Sequence, residues 1–101
     1  MITKKLRNYI VDLVYDKINS IELIINDTPT AATILNKVKG TGYVDIYVDL
    51  LLSSTSDIIN GIIVYDSSNN MLAKDLPNLT YNVQSATYVY RLQVTSDKGI
   101  L

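Results

Sequence analysis

The feature that most constrains the fold is a strict alternation of side chains over residues 43–52. One set of alternating positions carries Val44, Ile46, Val48, Leu50 and Leu52, and the other carries Tyr43, Asp45, Tyr47, Asp49 and Leu51. Because successive side chains of a β-strand point to opposite faces, the pattern predicts a strand with one buried and one exposed face. The core is therefore expected to be built largely on sheet.

Other apolar runs separated by turn residues predict a succession of strands. They lie at about 20–26, 58–66, 71–76, 80–84 and 86–95, in addition to 43–52. Residues 58–66 are apolar almost throughout, which indicates burial on both sides, and 67–70 suit a hairpin loop. In the last strand Tyr88, Tyr90, Leu92 and Val94 share one face, where the two tyrosines are expected in or near the core. Residues 96–101 are expected to form a loose tail.

Residues 3–18 predict the one helix of the chain. Thr3 is a candidate N-cap, and the apolar residues that fall on one face at spacings of three and four are Leu6, Tyr9, Ile10, Leu13, Val14 and Ile18. Residues 27–30 suggest a turn at Pro29, and residues 31–39 fit either a short helix closed by Gly40 or a turn that leads into the next strand. The sequence thus predicts a single α+β, β-rich domain over residues 1–101, with the N-terminal helix packed on an antiparallel sheet or a small β-sandwich.

Composition argues against most kinds of enzyme chemistry. The chain has no His, Cys, Trp or Phe but eight Tyr among its 101 residues. It therefore lacks the side chain that titrates near neutrality, the thiolate nucleophile, disulfides and soft metal ligands. We expect a non-enzymatic protein with no cofactor, no metal and no small-molecule substrate. With no covalent or metal staple, so small a fold is expected to gain stability from self-association.

Charge and hydropathy narrow the class of partner. The net charge is −1, so no overall basic field would attract nucleic acid, and no apolar run approaches the length of a membrane span. Residues 1–39 carry a net +2 and residues 40–101 a net −3. Opposite patches suit head-to-tail contact between copies, although ordinary solvated faces would give the same count.

The exposed side of residues 43–52 is the candidate interface. Tyr supplies rigid contact area with a polar tip, so Tyr43, Asp45, Tyr47 and Asp49 suit contact with another protein. The alternative is cross-strand tyrosine pairing on a wet sheet face. A catalytic carboxylate pair is not expected, because four residues of strand separate Asp45 from Asp49 by about 13 Å. The sequons at Asn26 and Asn78 lie at predicted loops and are candidate glycosylation sites.

Several segments resemble a family of virion proteins. Residues 1–13 (MITKKLRNYIVDL), residues 28–38 (TPTAATILNKV), residues 61–66 (GIIVYD), the polar hairpin and residues 71–73 (MLA) occur in an order similar to tail-fibre or tail-collar attachment domains of phage and archaeal viruses. The resemblance implies a structural subunit of the virion that forms homo-oligomers and docks to other virion proteins. The alternative is an adaptor or inhibitor in the host cytoplasm that binds one host protein.

Overall fold

In the part of the chain that the structure describes, one helix precedes seven strands. The computed structural model describes residues 3–51, 58–76, 79–80 and 85–94. Its elements are α1 (Lys4–Lys17), β1 (Ser20–Ile25), β2 (Thr28–Gly40), β3 (Tyr43–Leu51), β4 (Ile58–Tyr65), β5 (Met71–Asp75), β6 (Leu79–Thr80) and β7 (Ser85–Gln93). The expected class, α+β and β-rich, is confirmed. Of the strand predicted at 80–84, residues 81–84 lie outside the described residues, as do Leu52 and the predicted tail.

The strands form one curled antiparallel sheet on which α1 packs. The strand order is β5-β4-β1-β2-β3-β7, and the two-residue β6 pairs with β4 on the same side as β5. The long strand β2 joins the two halves, since it pairs with β1 as far as Ala32 and with β3 from Thr33 onward. Within the described residues β5 and β7 are therefore the two ends of the sheet.

The core lies between α1 and the concave side of the sheet. Its buried members come from the helix and its C-cap and from four strands or their ends, β1, β3, β4 and β7: Val11, Ile18, Ile21, Leu23, Val44, Ile46, Val48, Ile59, Ile62, Val64, Tyr90 and Val94. The alternation predicted for β3 is confirmed, because Val44, Ile46 and Val48 have no exposed area. Four consecutive residues of β4, from Gly61 to Val64, are buried, which confirms burial on both sides of that strand.

The predicted apolar face of α1 is only half buried. Thr3 is the N-cap, and its Oγ1 accepts a hydrogen bond from the Leu6 amide at 3.1 Å. Val11, which the predicted face omits, is instead the buried residue of α1, with 2 % of its area exposed, and belongs to the core. Three residues predicted for the buried side are instead exposed: Leu6 (47 %), Tyr9 (59 %) and Leu13 (60 %). The prediction for these three was wrong, because the sheet contacts only one side of a broad apolar face.

The segment before β3 is a strand, so both interpretations of residues 31–39 were wrong. The turn predicted at 27–30 begins one residue earlier, at Asn26, and consists of Asn26 and Asp27. Their φ values of 50° and 65° match the tight turn that joins two right-twisted strands in a hairpin. β2 begins at once, with Thr28 opposite Ile25. A bulge at Leu35, between Ile34 and Asn36, breaks the alternation of β2.

Candidate interaction surfaces

The four residues of the predicted interface share one face of the sheet. We define the outer face as the side of β2, β3 and β7 that points away from α1. Tyr43, Asp45, Tyr47 and Asp49 are half-buried there and lie between residues of the two neighbouring strands. Tyr47, for example, has Asn36 of β2 on one side and Val89 of β7 on the other. The structure thus brings these residues together as the alternation predicts.

Arg91 organises one end of the outer face. Its Nε and Nη2 donate to the two carboxylate oxygens of Asp45 at 2.9 and 3.1 Å, and its guanidinium lies 3.7 Å from the centre of the Tyr43 ring. The hydrogen bond to Asp45 raises the pKa of Arg91 above its ordinary value. The Tyr43 ring in turn covers the backbone of Gly40, where a Cβ atom would overlap it. Tyr43 and Asp45 thus contact Arg91 of the neighbouring strand, whereas the choice between an interface and cross-strand tyrosine pairing stays a prediction.

A second surface, which was not predicted, lies on the helix. Leu6, Tyr9 and Leu13, here called the α1 stripe, fall within about 60° around the helix axis. Each is about half exposed or more. A row of three large apolar side chains in water is unfavourable for a small protein, and such rows mark contact sites more often than scattered single residues do.

The α1 stripe borders an apolar groove. This edge groove has a volume of ≈ 360 Å³ and lies between the helix and the two ends of the sheet. Its apolar lining comes from α1, β5 and the end of β7: Ile10, Leu13, Val14, Leu72, Leu92 and Val94. Lys17 and Gln93 are its polar members. Leu13 belongs to both the α1 stripe and the edge groove, so the two form one continuous apolar surface.

The ends of the sheet come near each other beside the groove. The pKa of the Tyr90 hydroxyl on β7 is raised, first by burial and then by the negative charge of Asp75 on β5. Among the described residues, β5 nevertheless pairs only with β4, and β7 only with β3. The edge groove therefore lies where the curled sheet remains open, beside strand edges that are typical sites of contact with other chains.

Two lysines of β2 attach the helix to the sheet. Lys37 Nζ donates to the carbonyl oxygens of Tyr15 at 2.9 Å and Ile18 at 3.3 Å, at the C-terminal end of α1. Lys39 pairs with Asp12 at 3.1 Å, and both ammonium groups lie over the Tyr15 ring. Part of the positive charge of residues 1–39 thus serves contacts inside the chain.

The carboxylate in the loop between β4 and β5 serves the backbone. Asp66 accepts hydrogen bonds from the amides of Ser68 and Asn70, both at 2.9 Å, and so closes this loop. These bonds, that from the Asn70 amide first, lower the pKa of Asp66.

No group of three or more carboxylates in the described residues is placed to hold a metal ion. In the same part of the chain, no helix has the length and apolarity that crossing a bilayer requires.

The two sequons differ in what the structure describes. Asn26 lies exposed in the turn between β1 and β2, where its Oδ1 accepts a hydrogen bond from the Ile58 amide at 2.9 Å. Asn78 lies outside the described residues. Glycosylation of either residue stays a prediction.

Sequence reasoning missed the α1 stripe, although a signal was present. The six apolar residues assigned to one face of α1 span about 180° around its axis. A helix that lies on a sheet needs an apolar stripe of only about 100°. The excess width indicates a second apolar contact, beyond the one made with the sheet.

Comparison of this chain with protein-family models, with curated proteins and with solved structures found no match.

Proposed function

We propose that this protein is a non-enzymatic assembly subunit, which works by binding other protein chains, copies of itself first among them. The observation that carries the proposal is the continuous apolar surface formed by the α1 stripe and the edge groove. Three exposed helix side chains lead into a groove of ≈ 360 Å³ lined by six apolar residues. Burying such a surface against another protein is favourable in proportion to the apolar area removed from water.

The setting we propose is the virion, in a tail or fibre-attachment role with other virion proteins as further partners. The order of segments that resembles tail-fibre or tail-collar attachment domains supports this setting. The apolar surface supports binding to other protein chains. A cytoplasmic adaptor or inhibitor that binds one host protein is the second candidate. It would use the same apolar surface for a host partner rather than for another copy.

The test compares the two surfaces by light scattering at high protein concentration. Leu13→Gln removes apolar area from the α1 stripe while keeping good helix propensity, and Tyr47→Ser alters the outer face. We expect wild type and Tyr47→Ser to give masses above the monomer's 11.3 kDa, and Leu13→Gln to give a lower mass than either. Circular dichroism of both variants checks that each is folded.

Other outcomes point elsewhere. Loss of mass in Tyr47→Ser alone would make the outer face the interface. A wild-type monomer at every concentration that recovers one host protein from lysate in fixed ratio would favour the adaptor. A monomer that binds nothing and is absent from purified particles would contradict the proposal.

A further inference from the structure

We propose that two copies of this chain pair through their α1 helices, packed antiparallel along the α1 stripe. This inference rests on the proposed function and specifies its first contact. The occupant is a second copy of this chain, because the apolar and charged residues of α1 complement those of an identical helix that runs in the opposite direction.

The apolar residues match first. When the second helix runs antiparallel, with the two-fold axis midway between Tyr9 and Ile10, Leu6 of each copy lies opposite Leu13 of the other. The Tyr9 side chains then meet near the axis. Because Leu13 lines the edge groove, Leu6 of the second copy reaches the mouth of that groove. Each copy thus covers the exposed apolar residues of the other, as an isologous contact requires.

The charges beside the stripe match in the same arrangement. Lys5, Asp12 and Asp16 lie on one flank of the stripe, within about 40° around the helix axis. In an antiparallel pair this flank faces the same flank of the second copy. Lys5 then lies between Asp12 and Asp16 of the other helix, and the contact is made twice. In a parallel pair the flank would instead face the side of the stripe that carries Ile10 and Lys17.

These groups are available for such contacts. Lys5 and Asp16 are exposed, and neither forms an ion pair among the described residues. Asp12 is paired with Lys39 but keeps 57 % of its side chain exposed. Exposed charges at the rim of a contact select partner and orientation more than they add affinity. The α1 stripe therefore provides the attraction, and Lys5 and Asp16 set the antiparallel direction.

A charge exchange between two variants tests this pairing. In its own homodimer, Lys5→Glu places the introduced acid against both Asp12 and Asp16 of the other helix. Asp16→Lys places the introduced lysine against Lys5, which keeps only Asp12 as an opposite charge. In a mixture the glutamate introduced by Lys5→Glu faces the lysine introduced by Asp16→Lys, and the unchanged Asp16 of the first chain faces the unchanged Lys5 of the second. Both substitutions suit the helix dipole, since acid is favourable in the first turn and base in the last, so both variants should fold.

Sedimentation equilibrium of each variant alone and of an equimolar mixture gives the result. We expect each variant to self-associate more weakly than wild type, and the mixed pair to bind about tenfold or more tightly than either alone. Lys74→Glu makes the same charge change on exposed β5, and mixing it with Asp16→Lys should give no such gain. If wild type self-associates but the exchanged pair shows no preference, the helix pairing is wrong and the proposed function stands. If wild type is monomeric throughout, the helix pairing is wrong, and the proposed function fails with it if the protein also binds no other chain and is absent from purified particles.

Discussion

At the scale of single residues, Asn26, Asp27 and Asp66 fix two turns of the described chain. Asp66 is held by two backbone amides and by the Asn70 side chain, and Asn26 and Asp27 adopt the positive φ that closes the first hairpin. Asn and Asp tolerate this backbone and hydrogen-bond locally, which is why they are common in turns. The two described turns, at 26–27 and 66–70, therefore help to fix the register of the strands that they join.

Asp66 gives a pH dependence that can be tested. Because its pKa is lowered by hydrogen bonds in the folded chain, the folded state binds fewer protons than the unfolded state between the two pKa values. Stability from this group is thus present above the ordinary pKa of 3.8 and is lost as the pH falls through the lower folded value. We expect Asp66→Asn to show a weaker loss of melting temperature on acidification than wild type.

Melting curves between neutral and strongly acidic pH check this expectation. Ser67→Ala, in the same loop, is the matched control and should keep the wild-type dependence. An identical acid slope in wild type and Asp66→Asn would show that the Asp66 hydrogen bonds do not stabilise the fold.

At the scale of elements, strands with regular alternation could be predicted and the others could not. In β3 and β7 apolar residues of the inner face alternate with mostly polar residues of the outer face, so the approximate bounds and the inner faces of these strands follow from the sequence. β2 was not predicted as a strand, because the bulge at Leu35 reverses its alternation and because the turn from β1 to β2 uses Asn-Asp without glycine. Periodicity also places Leu6 and Val14 on one side of α1, but it does not say how far a curled sheet extends around the helix.

The candidate sites likewise contain some residues that spacing alone could place and others that it could not. Tyr43, Asp45, Tyr47 and Asp49 could be placed on one face from spacing alone, whereas their partner Arg91 is 46 residues from Asp45 and needed the strand order. The edge groove could not be predicted from spacing or from strand order alone, since it combines a helix with strands from opposite ends of the sheet. Such a surface depends on sheet curvature, which local sequence does not specify.

The attachment of α1 to β2 gives a prediction at this scale. Lys37 makes two charged hydrogen bonds to carbonyl oxygens at the end of the helix, where a cation is favourable. We expect Lys37→Met to lower the free energy of unfolding by about 1–3 kcal/mol, measured by urea denaturation.

Lys39→Met is the matched control, because Lys39 neighbours the same Tyr15 ring but forms only an exposed ion pair. Such exposed ion pairs contribute little to stability, so Lys39→Met should lower the free energy of unfolding less than Lys37→Met does. Equal losses in the two variants would contradict the role assigned to Lys37.

At the scale of the whole molecule, apolar surface remains exposed on one side. The sheet and helix enclose one core, yet the α1 stripe and the edge groove leave apolar side chains in water on one side of the molecule. A protein of 101 residues without cysteine or histidine has few other means of adding stability. Contact with a second chain at this surface would bury it, as the proposed function requires.

Cross-linking through an introduced cysteine tests this claim most directly. The chain has no cysteine, so Tyr9→Cys carries a single thiol at the centre of the α1 stripe, and Thr87→Cys carries one on the outer face as control. Paired helices hold the two thiols of Tyr9→Cys close together, which raises their effective concentration. Under mild oxidation of dilute protein we expect Tyr9→Cys to form a disulfide-linked dimer at least about tenfold faster than Thr87→Cys. Equal rates for the two variants would contradict contact through the α1 stripe.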